Sequence, residues 1–162
     1  MKCKEFLAGF GGHSMAVGVK VKEDEFFEFK EKIIKLAKEA NISKLAQVIE
    51  IEQEVSIDDI TKKDVEGLAL LEPFGEANRN PCFAFKNLKI DSIRSLTEGK
   101  HLKLVVKSDK NNYINAIGFN MGKKAQEFKI GDRIDLAGNL EINSFGGVDN
   151  IQINLKDVIK SV

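Results

Sequence analysis

The sequence predicts an α+β protein in which a short α/β segment precedes a small curled barrel of five strands. Three observations predict it. The two long stretches of helical spacing lie before Pro73, the first marked by Phe26, Phe29, Ile33 and Leu36. After Pro81 apolar and polar residues alternate, which is the period of strands. Within the first of those strands the apolar phase slips by one residue between Phe85 and Leu88, the mark of a bulge that lets a sheet curl.

The elements follow in order. Gly9-Phe10-Gly11-Gly12-His13 reads as a glycine-rich turn, and Val17, Val19 and Val21 alternate with Gly18 and Lys20 as a strand. A helix is predicted from about Asp24 to Ala40, with Phe26, Phe29, Ile33, Leu36, Ala37 and Ala40 as its apolar stripe. Glu28–Lys32 and Glu31–Lys35 would support it as i,i+4 pairs. Residues 47–55 read as a strand. A second helix is expected from about Ile60 to Glu72, capped by Asp58 or Asp59, with Val65, Leu68 and Leu71 buried. It stops before Pro73 because the residue preceding a proline avoids the helical region. A turn-rich connector reaches Pro81. Strands are then expected over Cys82–Leu96, His101–Ser108 and Tyr113–Phe119, followed by a helical turn over Met121–Phe128. Two more strands, Arg133–Asn143 and Asn150–Ile159, flank a hairpin turn at residues 143–147. Three strands, a short helix and two strands is the element order of the OB-fold, a Greek-key barrel. The predicted domains are 1–46 and 47–162, with the barrel core at about 82–159.

Composition excludes several classes. The 162 residues are 43% apolar and 31% charged, a globular balance. No apolar run approaches the roughly 20 residues of a membrane-spanning helix. Cys3 and Cys82 form no C-x-x-C pair, and there are only two histidines, so neither a disulfide framework nor a thiolate zinc site is expected. The reading is a cytoplasmic protein with no membrane partner. The zero net charge hides an asymmetry. Residues 1–85 hold 12 basic against 16 acidic side chains, residues 86–133 hold 11 against 5, and residues 134–162 hold 2 against 4. A basic middle third is one footprint of a phosphate-backbone partner, although a solvated strand face produces the same count.

OB-folds present strands 2 and 3, and the loops joining strands 1–2 and 4–5, to their ligands. His101, Lys103 and Lys107 are expected outward on strand 2, Lys100 ends the 1–2 loop, and Phe145 tips the 4–5 loop. Cations for phosphates and a ring for a base are the two components of single-strand binding. The competing readings are a wet strand face for the lysines and a barrel plug for Phe145. Gly11, Gly12, His13 and Ser14 form the other candidate. Their backbone N–H groups could approach an anion closely, or the segment is a tight turn feeding a strand. Catalytic chemistry finds no foothold. Asp58-Asp59 reads as helix capping, and Ser14 beside His13 lacks a third group.

Gly11-Gly12-His13-Ser14-Met15-Ala16-Val17-Gly18 resembles the Gly-Gly-His-x-x-Ala-x-Gly motif of DHH-family phosphoesterases, in the domain that follows their catalytic domain. Leu71-Glu72-Pro73-Phe74-Gly75 with Asn78 and Pro81 resembles a connector of the RecJ-type single-strand-specific exonucleases within that family. Gly99-Lys100-His101-Leu102-Lys103-Leu104 resembles their second barrel strand, and Leu140–Asn143, Phe145, Gly147 and Ile151-Gln152 their last hairpin. Ala77 and Arg79 depart from the usual glycine and proline of the connector, and Val17 replaces a usually small residue. The resemblance implies the C-terminal part of such an enzyme: the end of a DHH-associated domain at 1–46 and an OB domain after it. The parent would degrade single-stranded DNA from the 5′ end with Mn²⁺ or Mg²⁺ in recombination and repair. Gly11, Gly12, His13 and Ser14 would hold a nucleotide or phosphate, and the barrel would guide the strand. The metal ligands would belong to a catalytic DHH domain of the same parent chain, so this piece is expected to be inactive alone and to bind no cofactor. A stand-alone nucleic-acid-binding module and an OB-like protein–protein adaptor remain open alternatives.

Overall fold

A computed structural model describes residues 3–13, 16–40, 48–144 and 147–161. The chain divides into two compact units, Met1–Val48 and Ile49–Val162. Among the described residues no helix is long and apolar enough to cross a membrane.

In the first unit, β1 (Leu7–His13) pairs antiparallel with β2 (Ala16–Val21), and α1 (Phe26–Glu39) follows a single 3₁₀ turn. The expected glycine-rich turn at Gly9–His13 is therefore a strand. Its glycines sit in the hairpin ladder, with Gly11 opposite Gly18 and Gly12 opposite Val17. Gly12 has φ +151°, and a Cβ there would overlap the Ala16 carbonyl oxygen and stand 2.7 Å from the Val17 Cα. Of the predicted stripe on α1, Phe29 is buried and meets Phe6 edge-on at 6.4 Å, whereas Phe26 and Ile33 are exposed. Lys32 does not take Glu28 as partner; its ammonium donates to Glu5 at 2.7 Å.

In the second unit, among the described residues of the strand expected over 47–55, β3 is Gln53–Glu54, parallel to the start of the next strand, with the Glu52 and Val55 N–H groups donating to Cys82 O and Ala84 O on either side of it. The helix expected over 60–72 is α2 (Lys62–Leu68) with a 3₁₀ turn over Ala69–Leu71. Its cap is Thr61, which forms a capping box with Asp64. Asp58 is occupied elsewhere, accepting from Ser108 Oγ at 2.6 Å and Asn112 Nδ2 at 2.7 Å. Val65 is buried as expected, but Leu71 is exposed, because three residues per turn rotate it off the α-helical stripe.

The barrel comprises β4 (Phe83–Leu96), β5 (His101–Lys107), β6 (Tyr113–Gly118), β7 (Arg133–Asn143) and β8 (Asn150–Lys160). They run in the order β4-β5-β6-β8-β7, and β4 closes on β7. The pair β6–β8 is parallel; the others are antiparallel. The expected phase slip is real: the β4–β7 register shifts between Phe85 and Leu88, and Asn87 there has φ +54°. Two further shifts lie at Ile90/Ser92 and at Ala137/Gly138, where the inward apolar residues step by three from Ile90 to Ile93 and from Leu155 to Val158. The second makes Val158 a core residue after Ile153 and Leu155. Phe85, Ile90, Leu102, Leu104, Val106, Ile134, Leu136, Ile153 and Val158 are fully enclosed. Met121–Phe128 is not an α-helix but a 3₁₀ turn, Gly122–Gln126, followed by buried Phe128. It packs beside the 1–2 loop, where the Gly122 N–H donates to Lys100 O at 3.1 Å. Ile57 enters the core from the other end, next to the Ser108–Asn112 turn that holds Asp58.

Asp135 ties the first bulge together. Burial pushes its carboxyl up, but the Asn87 N–H at 2.9 Å, the Lys86 ammonium at 2.8 Å and the Ser161 hydroxyl at 2.6 Å more than reverse this, so its pKa lies below the ordinary 3.8. A lowered carboxylate stabilises the fold above its unfolded pKa, and that contribution is lost as pH falls through the folded value. The melting temperature is therefore expected to fall with acidification below pH about 4. Asp135→Asn should lower it at neutral pH and flatten the acid limb; an acid limb unchanged in the variant would show that Asp135 does not contribute to it.

Candidate nucleic-acid interface

The outer face of the barrel is set by the alternation of β5. Leu102, Leu104 and Val106 are buried, so His101, Lys103, Val105 and Lys107 point outward. Cross-strand register adds the neighbours. Arg94 of β4 lies opposite Lys103, and Lys89 opposite Lys107. On the other side Ile117, Asn115 and Tyr113 of β6 face Lys103, Val105 and Lys107.

The 11 basic residues of segment 86–133 are not equally available. Lys86, Lys124 and Arg133 hold Asp135, Asp157 and Asp109 at 2.6–2.8 Å. Lys107 lies 3.6 Å from Asp91, and Lys110 lies 3.9 Å from Asp58. Lys107 also donates to the Tyr113 hydroxyl at 3.4 Å and stands 5.4 Å from the ring centroid. The Tyr113 hydroxyl, followed by Asp91, raises its pKa above the ordinary lysine value. The other six, Lys89, Arg94, Lys100, Lys103, Lys123 and Lys129, have no ion-pair partner among the described residues, and of these Arg94 and Lys103 stand directly opposite one another. Two like charges directly opposite on an antiparallel pair cost stability, on the order of a few tenths of a kcal/mol or more. Asp91 offsets that cost at Lys89–Lys107. Nothing comparable among the described residues offsets it at Arg94–Lys103, which leaves an uncompensated cationic pair suited to a phosphate.

Of the predicted site residues, the structure brings His101, Lys103 and Lys107 to one face, with Lys107 engaged by Asp91 and Tyr113, and leaves Lys100 exposed in the turn before β5. The His101 ring is held by the Asn120 N–H on Nδ1 at 3.1 Å and meets Phe119 edge-on at 5.3 Å. Phe145 lies outside the described residues. Gly11, Gly12 and His13 are exposed at the end of β1 in the first unit, and Ser14 lies outside the described residues. Sequence reasoning missed Arg94, Tyr113 and Phe119. The period of β6 alone could have shown the two rings, since Ile114 and Ala116 between them point inward. Arg94 needs the register across β4 and β5. Among the described residues no group of three or more His, Cys, Asp or Glu side chains could hold a metal ion.

A closed five-stranded mixed barrel of this order is an OB-fold; its outward cations lie on strands 1 and 2, with Tyr113, Asn115 and Ile117 outward on strand 3. The family model described as "RecJ OB domain" matches residues 51–157. The chain belongs to the RecJ OB domain family. It is 25% identical over 162 residues to the single-stranded-DNA-specific exonuclease RecJ of Bacillus subtilis (strain 168), covering 99% of this chain and 20% of that protein. It is 29% identical over 148 residues to the RecJ of Dickeya dadantii (strain 3937), covering 89% and 25%. A crystal structure of RecJ in complex with Mn²⁺ from Thermus thermophilus superposes with a TM-score of 0.64 at 23% identity, over 99% of this chain and 23% of that one. The chain thus spans about a fifth to a quarter of the length of these relatives.

Proposed function

We propose that the barrel binds single-stranded DNA and guides it to the catalytic domain of a longer parent chain, a metal-dependent 5′-to-3′ exonuclease of recombination and repair in the cytoplasm. The observation that carries this reading is the Arg94–Lys103 pair, without an acidic partner among the described residues, in which Lys103 stands on the second strand of the face that OB-folds use for ligands and Arg94 lies beside it on the first. The resemblance to RecJ relatives named as single-stranded-DNA-specific exonucleases supports the substrate. Mn²⁺ or Mg²⁺ would be held by that other domain, since the described residues here do not fit a metal site. Segment 1–46 is read as the end of a DHH-associated domain. There Gly11, Gly12, His13 and Ser14 would hold a nucleotide or phosphate, a role supported by the open space beside Gly11, while the close approach at Gly12 is to the hairpin's own backbone.

The test is a titration of a labelled dT oligonucleotide with the 162-residue chain at several salt concentrations. Three phosphate contacts from Arg94, Lys100 and Lys103, at about −0.7 each, predict a slope of log K on log salt of about −2. Affinity should fall about 20-fold between about 50 and about 200 mM salt, and duplex should bind more weakly. Incubation with Mn²⁺ should release no mononucleotides. Salt-insensitive binding, or none, would favour the protein–protein adaptor instead.

A further inference from the structure

Two exposed rings stand at opposite ends of the β6 outer row, and each is braced by a neighbour. Tyr113 opens β6 and is 55% exposed, with the Lys107 ammonium 5.4 Å from its ring centroid. Phe119 follows the end of β6 and is also 55% exposed, with the His101 ring against it. His101 is fixed in turn by the Asn120 N–H. Ring orientation is thus set before any ligand arrives, which lowers the ordering cost of stacking. Six strand positions separate the rings, about 20 Å at the strand rise of roughly 3.3 Å. Val105, Asn115 and Ile117 lie between them, and the Arg94–Lys103 pair sits toward the Phe119 end, because Lys103 pairs with Ile117. Beside Tyr113 opens a cavity of about 320 Å³, with Ile60, Ile142 and Ile151 on its apolar side and Asn115 and the Lys62–Asp149 ion pair, closed at 2.7 Å, on its polar side. That is within the size range of small-ligand sites.

We infer that this face grips a single strand at two stacking points, one base on Phe119 braced by His101 and another on Tyr113 with its edge in the adjoining cavity. The inference rests on the single-strand reading above and adds to it a register and two residues. A strand stretched to nearly twice the 3.4 Å per nucleotide of a duplex strand crosses the gap in about three steps. The minimal ligand is then about 4 or 5 nucleotides, at the short end of OB-fold site sizes.

The chain has one tyrosine and no tryptophan, so its ultraviolet emission reports Tyr113 directly. Titration with dT oligonucleotides of increasing length should quench that emission in step with binding measured by anisotropy. Affinity should rise steeply up to about 4 or 5 nucleotides and slowly beyond. Tyr113→Leu and Phe119→Leu should each weaken binding about 5- to 150-fold, the loss of one stacked base, with the salt slope unchanged. Phe119→Leu should leave residual quenching of Tyr113. Oligonucleotide binding with undisturbed tyrosine emission and no effect of either substitution would overturn the two-ring grip while leaving the single-strand reading intact. A complete absence of oligonucleotide binding would overturn both.

Discussion

Replacing Arg94 and Lys103 together with alanine is expected to weaken binding of a dT oligonucleotide about 25-fold at about 0.1 M salt, or about 2 kcal/mol. The figure follows from counterion release: each lost phosphate contact removes about 0.7 of a logarithmic unit per tenfold dilution of salt below 1 M. The salt slope should shrink by about 1.4 in the same experiment. The barrel should melt at the same temperature or slightly higher, because the substitution relieves two like charges set directly opposite one another. Loss of affinity without loss of stability separates a ligand contact from a structural one. Lys107→Ala should cost less, since its ammonium must leave Asp91 and Tyr113 before it reaches a phosphate. Equal effects of Lys107→Ala and Lys103→Ala would mean that the face acts only through its total charge.

Phe85→Ala should produce the largest loss of stability, about 3–5 kcal/mol. Phe85 has no exposed surface, lies opposite Leu136, and sits where β4 bends through its first bulge. Removing its ring leaves a cavity in the centre of the core cluster, and the barrel closed by β4 and β7 cannot collapse to fill it. A domain near 100 residues loses roughly 4–8 °C per kcal/mol, so the barrel transition should drop by roughly 12 °C or more. Calorimetry of the variant measures it. A drop of only a few degrees would mean that the site repacks. Affinity for DNA in the folded fraction should not change, because Phe85 points away from the outer face.

The interface is legible only in part from the sequence, and the missing part has a common cause. Lys107 carries the same outward phase as Lys103, so the two look equivalent along β5. They differ because the register shift between Ile90 and Ser92 leaves Asp91 as the extra residue of β4, beside Lys107. A bulge turns a side chain across a sheet, and the partner it then meets lies on another strand. Asp58 shows the same dependence. It stands where a helix cap is expected, yet Ser108 and Asn112, 50 and 54 residues away in sequence, occupy its carboxylate. The cap falls to Thr61 and Asp64 instead.

The order of elements, the inward faces of β5 and β6 and the first bulge of β4 were set by sequence alone. Alternation and its phase are local properties of a chain whose apolar residues must leave water. The tertiary structure decided which cations are unpaired, which rings share a face with them, and where the later bulge brings Val158 inward. Lys156 of β8 is the extra residue there, and because Val158 and Ile159 are both apolar the local pattern does not choose which turns inward; the close packing at Gly138, where a Cβ would come within 2.6 Å of the Asn154 carbonyl oxygen and the Ile153 side chain, belongs to the closed barrel. Pairing across strands depends on register, and register is fixed only when the barrel closes and all five strands bury their inner faces at once.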